Sequence, residues 1–216
     1  MTPMEKVRSA DRALLRIIGQ AVAEAERRSG AWIACRPGCT QCCIGPFPVT
    51  QLDALRLRHG LEELAGSDPE RARRVRERAR AAWQRLAPLF PGDPATGVLA
   101  GDDAAQEEFF ERTDSEPCPA LDPQTGLCEL YAFRPVTCRV FGPAVRSAGD
   151  VLGHCELCYE GATPEQIAAC EVDFDPDGLE AVVLEELEKA TGASGLTIIA
   201  FALAPAAGET APGEGR

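Results

Sequence analysis

The sequence predicts a mainly α-helical chain whose helices frame irregular, cysteine-rich loops, with minor β structure. Three observations carry this. Apolar residues recur near a 3.6-residue period in several segments. Capping signals open those segments. The ten cysteines, four of them between Cys35 and Cys43, fall almost entirely in the Pro- and Gly-punctuated stretches between helices.

From about Glu5 to Ser29, Val7, Leu14, Ile18, Ala21, Val22 and Ala25 form an apolar stripe, and Gly30 supplies a stop. Thr50 with Asp53 resembles an N-terminal capping arrangement and opens a helix from about Gln51 to Leu64, which Gly60 weakens. Asp68-Pro69 is a cap followed by proline at the first helical position. The helix it starts, to about Ala87, turns Ala72, Val75, Ala79, Ala82, Trp83 and Leu86 inward. Pro88 to Pro117 reads as a long irregular excursion with a short helix around Ala104 to Arg112. Asp122 to Gly126 is a turn signal, so a small β element is expected near Cys118 to Cys128. Thr163-Pro164-Glu165 opens another helix. Asp177-Gly178 precedes one from about Leu179 to Ala190, with Leu179, Val182, Val183, Leu187 and Ala190 inward. Leu196 to Leu203 is an apolar run that periodicity assigns to neither strand nor helix.

With 216 residues, the chain is expected to form one domain, residues 1–204, followed by a disordered tail, 205–216. A hydrophobic fraction of 45% excludes a wholly disordered chain. The net charge of −12 argues against nucleic acid or an anionic membrane as a whole-surface partner. Aromatic residues at 6% are too few for a base-stacking platform. The longest uncharged run, Thr191 to Gly208, contains Gly, Pro, Ser and Thr, and no segment reads as a membrane span or secretory signal. The expected location is a reducing cytoplasm, where clustered cysteines act as metal ligands or redox thiols.

Seven arginines between Arg71 and Arg85 contrast with that acidic balance. The simpler reading is a solvated face paired with acidic neighbours; the sharper one is a docking surface for an acidic partner, such as a protein, or for nucleic acid.

The cysteines lie in three segments within 35–158. The first is Cys35-Arg-Pro-Gly-Cys39-Thr-Gln-Cys42-Cys43, the second carries Cys118, Cys128 and Cys138, and the third is Cys155-Glu-Leu-Cys158. Spacings of two to four residues let thiolates converge on one ion. Cys42 and Cys43 are adjacent, so their side chains are expected to diverge. Cys118 and Cys128 are expected to face each other across the Asp122–Gly126 turn. Cys170, alone in a helix, reads as buried packing. Four thiolates around a divalent ion leave surplus negative charge, so Arg134 and Arg139 are candidate supporting cations, with Arg36 and Arg146 nearby.

This pattern resembles the YkgJ-type cysteine-cluster family of zinc- or iron-chelating domains. The resemblance rests on Cys35, Cys39 and Cys42-Cys43, then Cys128-Glu-Leu-Tyr131, Arg134-Pro135, Cys138-Arg139 and Phe141. It implies metal or iron–sulfur binding; the candidate ligands of the three segments are Cys35, Cys39, Cys42, Cys43, Cys118, Cys128, Cys138, Cys155 and Cys158. Flagellin lysine-N-methylase looks like a distant relative with an iron–sulfur cluster. The Cys35-x3-Cys39-x2-Cys42 spacing also fits radical S-adenosylmethionine enzymes. Here, however, the loop follows an amphipathic helix, and Gln41 stands where those enzymes usually carry an aromatic residue.

Soft thiolates favour zinc or iron–sulfur. The expected cofactor is an iron–sulfur cluster or iron, alternatively zinc, and the expected role is redox, sensing or metal handling. An iron–sulfur enzyme related to the methylase and a zinc-stabilised interaction module are the alternatives. No catalytic residue is assigned.

Overall fold

A computed structural model describes residues 1–204; the expected tail, 205–216, lies outside the described residues. Helix accounts for 56% and strand for 10%, so the chain is mainly α with minor β. The helices are α1 Pro3–Ser29, α2 Gln51–Ser67, α3 Pro69–Leu86, α4 Asp103–Arg112, α5 Val136–Val140, α6 Pro164–Cys170, α7 Leu179–Thr191 and α8 Ile199–Leu203. The strands are β1 Val49–Thr50, β2 Gly92–Asp93, β3 Val98–Leu99, β4 Val145–Ser147, β5 Asp150–Gly153, β6 Val172–Asp173 and β7 Leu196–Thr197. None of the described helices is long and apolar enough to cross a membrane.

The chain divides into two compact units. The first comprises Met1–Pro37 and Val136–Ser194. Its long helix α1 starts at Thr2, whose hydroxyl accepts from the Glu5 N–H while the Glu5 carboxylate accepts from the Thr2 N–H. The buried stripe Val7, Leu14, Ile18 and Ala25 packs against α5, α6 and α7. Beside them lies a three-stranded sheet in the order β5-β4-β6, antiparallel between β4 and β5 and parallel between β4 and β6. Helix α7 has no capping side chain at Gly178. Instead, the buried Asp175 carboxylate accepts from the Leu179 and Glu180 N–H groups. Val183 and Leu187 are buried, but Val182 is exposed, contrary to the sequence expectation. The stripe along α7 is narrower than its apolar residues suggest.

The second unit comprises Gly38–Pro135 and, among the described residues, 195–204. Helices α2, α3 and α8 pack on one another, with β1 and β7 paired antiparallel at one end. Phe90, Phe109 and Phe201 form its aromatic core with Ala82, Leu86 and Ile198. The Pro88–Pro117 excursion is more ordered than expected, holding the β2–β3 hairpin as well as α4. The apolar run near the C-terminus resolves into both alternatives, strand β7 followed by helix α8.

Thr50 and Asp53 form a capping box at the start of α2. The helix runs three residues beyond the expected Leu64, to Ser67. Asp53 also pairs with Arg56 at 2.5 Å, both side chains almost fully buried. Gly60 lies within α2, and a β-carbon there would stand 2.4 Å from the Phe133 ring. The glycine is therefore a packing requirement. Gly60→Ala gains about 1 kcal/mol of helix propensity but overpacks the ring contact at a cost of about 1–3 kcal/mol. Urea unfolding is expected to show a net loss of stability. In a Phe133→Ala background the same change should cost nothing; an equal cost there would show that the ring is not the cause.

Candidate metal centre

All ten cysteines are thiols, five in each unit. In the second unit, the first and second cysteine segments lie side by side. The Cys118 N–H donates to the Cys43 carbonyl at 2.8 Å, the Gly45 N–H donates to the Glu116 carbonyl at 2.9 Å, and Ile44 bridges to Pro117. Gly45 has φ 83°, and a β-carbon there would meet the Asp114 carbonyl oxygen at 2.9 Å, so only glycine fits this crossing.

The excursion between Cys118 and Cys128 is a tight loop. The Gly126 N–H returns to the Asp122 carbonyl, the Asp122 N–H donates to Leu127, and the Glu129 N–H donates to Ala120. A single bridge, Leu121 to Cys128, is the β structure there. This brings Cys118 and Cys128 together as the turn signal implies. Gly126 in turn lies against Gly38 and Thr40, the neighbours of Cys39.

Cys42 and Cys43 do not diverge. A short 3-10 turn, Gln41–Cys43, lets the Cys43 thiol donate to the Cys42 sulfur. That bond lowers the Cys42 pKa to about 6, and the nearby Arg134 guanidinium acts in the same direction. The Cys43 thiol is pushed up by the same bond, by burial, and by the charges of Cys42, Cys118 and Cys128. Burial pushes Cys118 up to about 12 against N–H bonds from Ala120 and Leu121, and it raises Cys128 against one from Leu130. The four sulfurs thus feel one another. Loaded with protons they are neutral and half-buried; stripped of protons they need a cation.

Cations stand around this set. The Arg134 guanidinium stacks 3.7 Å over the Tyr131 ring and acts on both Cys42 and Cys128. Behind Cys128, the Glu129 carboxylate is 4% exposed and pairs with Arg71 at 3.2 Å, Arg74 at 3.9 Å and Arg78. Arg78 also donates through Nε to the Pro119 carbonyl at 2.9 Å. One guanidinium therefore ties together the residues next to Cys118 and Cys128. Much of the arginine face of α3 is thereby accounted for. Arg71, Arg74 and Arg78 hold Glu129, Arg85 holds Glu116, and Arg73 pairs with Glu70 and Glu77. The acidic neighbours of the simpler sequence reading are these. Sequence reasoning missed Glu129 and Arg78; the arginine run signalled the clamp, but its partner lies some fifty residues away.

The remaining candidates, Cys35, Cys138, Cys155 and Cys158, belong to the first unit together with Cys170. Cys155 and Cys158 are buried, Cys138 is half-buried on α5, and Cys35 is exposed. Cys170 is buried and donates to the Arg28 carbonyl at 3.4 Å, a packing role as expected. Arg139 is half-buried on α5, Arg36 donates to the Ala34 carbonyl of its own loop, and Arg146 pairs with Glu171. His154 is exposed and packs edge-on to Tyr159 at 4.9 Å.

Among the described residues, no three Cys, His, Asp or Glu side chains already stand in a metal-holding arrangement. The donor chemistry nonetheless suits a soft ion: Cys42, Cys43, Cys118 and Cys128 are mutually interacting thiols with arginine support. Comparison with the curated proteins and with the solved structures finds no match. A family model named CxxCxxCC, with the description "Putative zinc- or iron-chelating domain", matches residues 34–159, more than half of the chain. Here the first gap of the motif holds three residues, Arg36, Pro37 and Gly38. The chain belongs to the CxxCxxCC family of zinc- or iron-chelating domains.

Proposed function

We propose that the protein holds an iron–sulfur cluster, or alternatively zinc, through Cys42, Cys43, Cys118 and Cys128, with Cys39 at the edge of the set, in a metal-handling or redox role. The observation that carries this is the shared electrostatic neighbourhood of the four thiols, whose segments are locked together by backbone pairing and by Arg78. The shell closes by side-chain rotation as the ion enters, so part of the binding free energy orders the loops. A bound zinc ion would be closed and redox-silent; a cluster would supply electron transfer. The protein's own part is to hold the thiols, to offset the negative charge of a thiolate-ligated ion with Arg134, and to donate backbone N–H groups to Cys118 and Cys128.

Anaerobic purification followed by metal, sulfide and visible-absorption measurement tests the reading. Bound zinc, or iron with equimolar sulfide, whose content falls in Cys118→Ala and in Cys128→Ala would support it. A folded chain free of metal after reconstitution, with every thiol open to alkylation, would refute it.

A further inference from the structure

We infer that the unit formed by Met1–Pro37 and Val136–Ser194 carries a second thiolate centre of its own, held by Cys35, Cys138, Cys155 and Cys158 and taking the same class of soft divalent ion. The inference rests on the metal-binding reading above and extends it to the number of centres and the partition of their ligands.

Its starting point is Gly142. Its backbone has φ 138°, and a β-carbon there would lie 2.7 Å from the Cys35 sulfur, so Cys35 sits directly against the Gly142 α-carbon. The Gly142 carbonyl accepts from the Cys155 N–H at 3.1 Å. The Cys158 N–H turns back to the Cys155 carbonyl at 2.9 Å. The N–H of Ala34, next to Cys35, points to the Cys158 sulfur at 3.5 Å. Cys35 and Cys155 thus meet at one glycine, and Cys158 is tied to Cys155 by its own turn and to the neighbour of Cys35 through its sulfur. Cys138 lies on α5, which ends at Val140, two residues before Gly142.

The chain around these residues is firmly held. Tyr159, immediately after Cys158, has φ 60°, a costly conformation for a bulky residue. Three bonds fix it there: its N–H to the Trp32 carbonyl at 2.9 Å, its hydroxyl to the Ser29 hydroxyl at 2.5 Å, and the Ala144 N–H to its hydroxyl at 2.9 Å. The Cys155–Cys158 turn is thereby pinned to the segment carrying Cys35.

Packing alone explains Cys170, whose S–H donates to a carbonyl. Cys158 belongs to the same packed cluster, yet its sulfur accepts an N–H bond from Ala34, beside Cys35. Packing does not explain Cys35, which is exposed and yet seated against a residue that must be glycine.

The test uses zinc(II) as the probe on the full chain, with stoichiometry read by native mass spectrometry. Two zinc ions are expected per wild-type chain, one in Cys155→Ala/Cys158→Ala, one in Cys118→Ala/Cys128→Ala, and two in Cys170→Ala. Cys35 should be alkylated readily without zinc and blocked once zinc is loaded. That wild-type readout decides the matter if the Cys155/Cys158 variant does not fold. One zinc per wild-type chain, retained in Cys155→Ala/Cys158→Ala and with Cys35 still reactive, would overturn the second centre and leave the first intact. Loss of all zinc from a folded Cys155→Ala/Cys158→Ala chain would show one shared centre and overturn the partition. No zinc on the wild-type chain would overturn the second centre, while the anaerobic iron and sulfide measurement decides the first reading separately.

Discussion

Glutamine in place of Glu129 is expected to weaken metal binding by about 10- to 100-fold, the usual cost of losing a partner that orients a ligand. The Glu129 carboxylate is buried beneath Arg71, Arg74 and Arg78, and its own residue follows Cys128. Removing its charge leaves three like charges around a neutral amide. The guanidiniums then hydrate or spread, since they are 24% to 48% exposed, and the Cys128 loop loses its anchor. Arg78→Lys should weaken binding in the same direction, because lysine cannot serve both Glu129 and the Pro119 carbonyl in a fixed fork. Competition for zinc against a chelator reads the affinity, and a thermal melt of the metal-free chain reads the fold. Unchanged zinc affinity in both variants would show that the clamp plays no part in the centre.

Asp53→Ala is expected to produce the largest loss of stability, about 3–5 kcal/mol, because it leaves the buried Arg56 without its carboxylate. The same change removes the carboxylate that accepts from the Thr50 N–H, half of the capping box. Asp53→Asn should keep part of the cap and lose less. Chemical denaturation of the metal-free protein measures both. A loss under 1 kcal/mol for Asp53→Ala would mean that Arg56 finds other support at no cost.

Local signals in the sequence translate well into this fold. Thr50 with Asp53, Asp68 with Pro69, and Thr163 with Pro164 open helices because a short polar side chain meets orphan N–H groups within three residues. The Asp122–Gly126 turn likewise depends on contacts within the loop. The β4–β5 hairpin was not legible. Its two-residue turn, Ala148-Gly149, has positive φ at both positions, and alanine gives no hint of that where asparagine would. The parallel pairing of β4 with β6 joins residues far apart in sequence, so no local pattern announces it.

The site divides in the same way. The candidate thiols are readable as residue types at metal-ligand spacing. Which of them neighbour one another depends on long-range packing: Cys43 beside Cys118, and Cys35 against Gly142. The Cys42–Cys43 pair shows the limit most clearly. Adjacency suggests divergent side chains, yet one 3-10 turn is enough to join them in a hydrogen bond.

X-ray absorption at the metal edge of the anaerobically loaded wild-type chain tests the central claim most directly. The account predicts a first shell dominated by sulfur near ~2.3 Å, as for thiolate ligation. A shell of oxygen and nitrogen donors at about 2.0–2.2 Å, with sulfur absent, would contradict it.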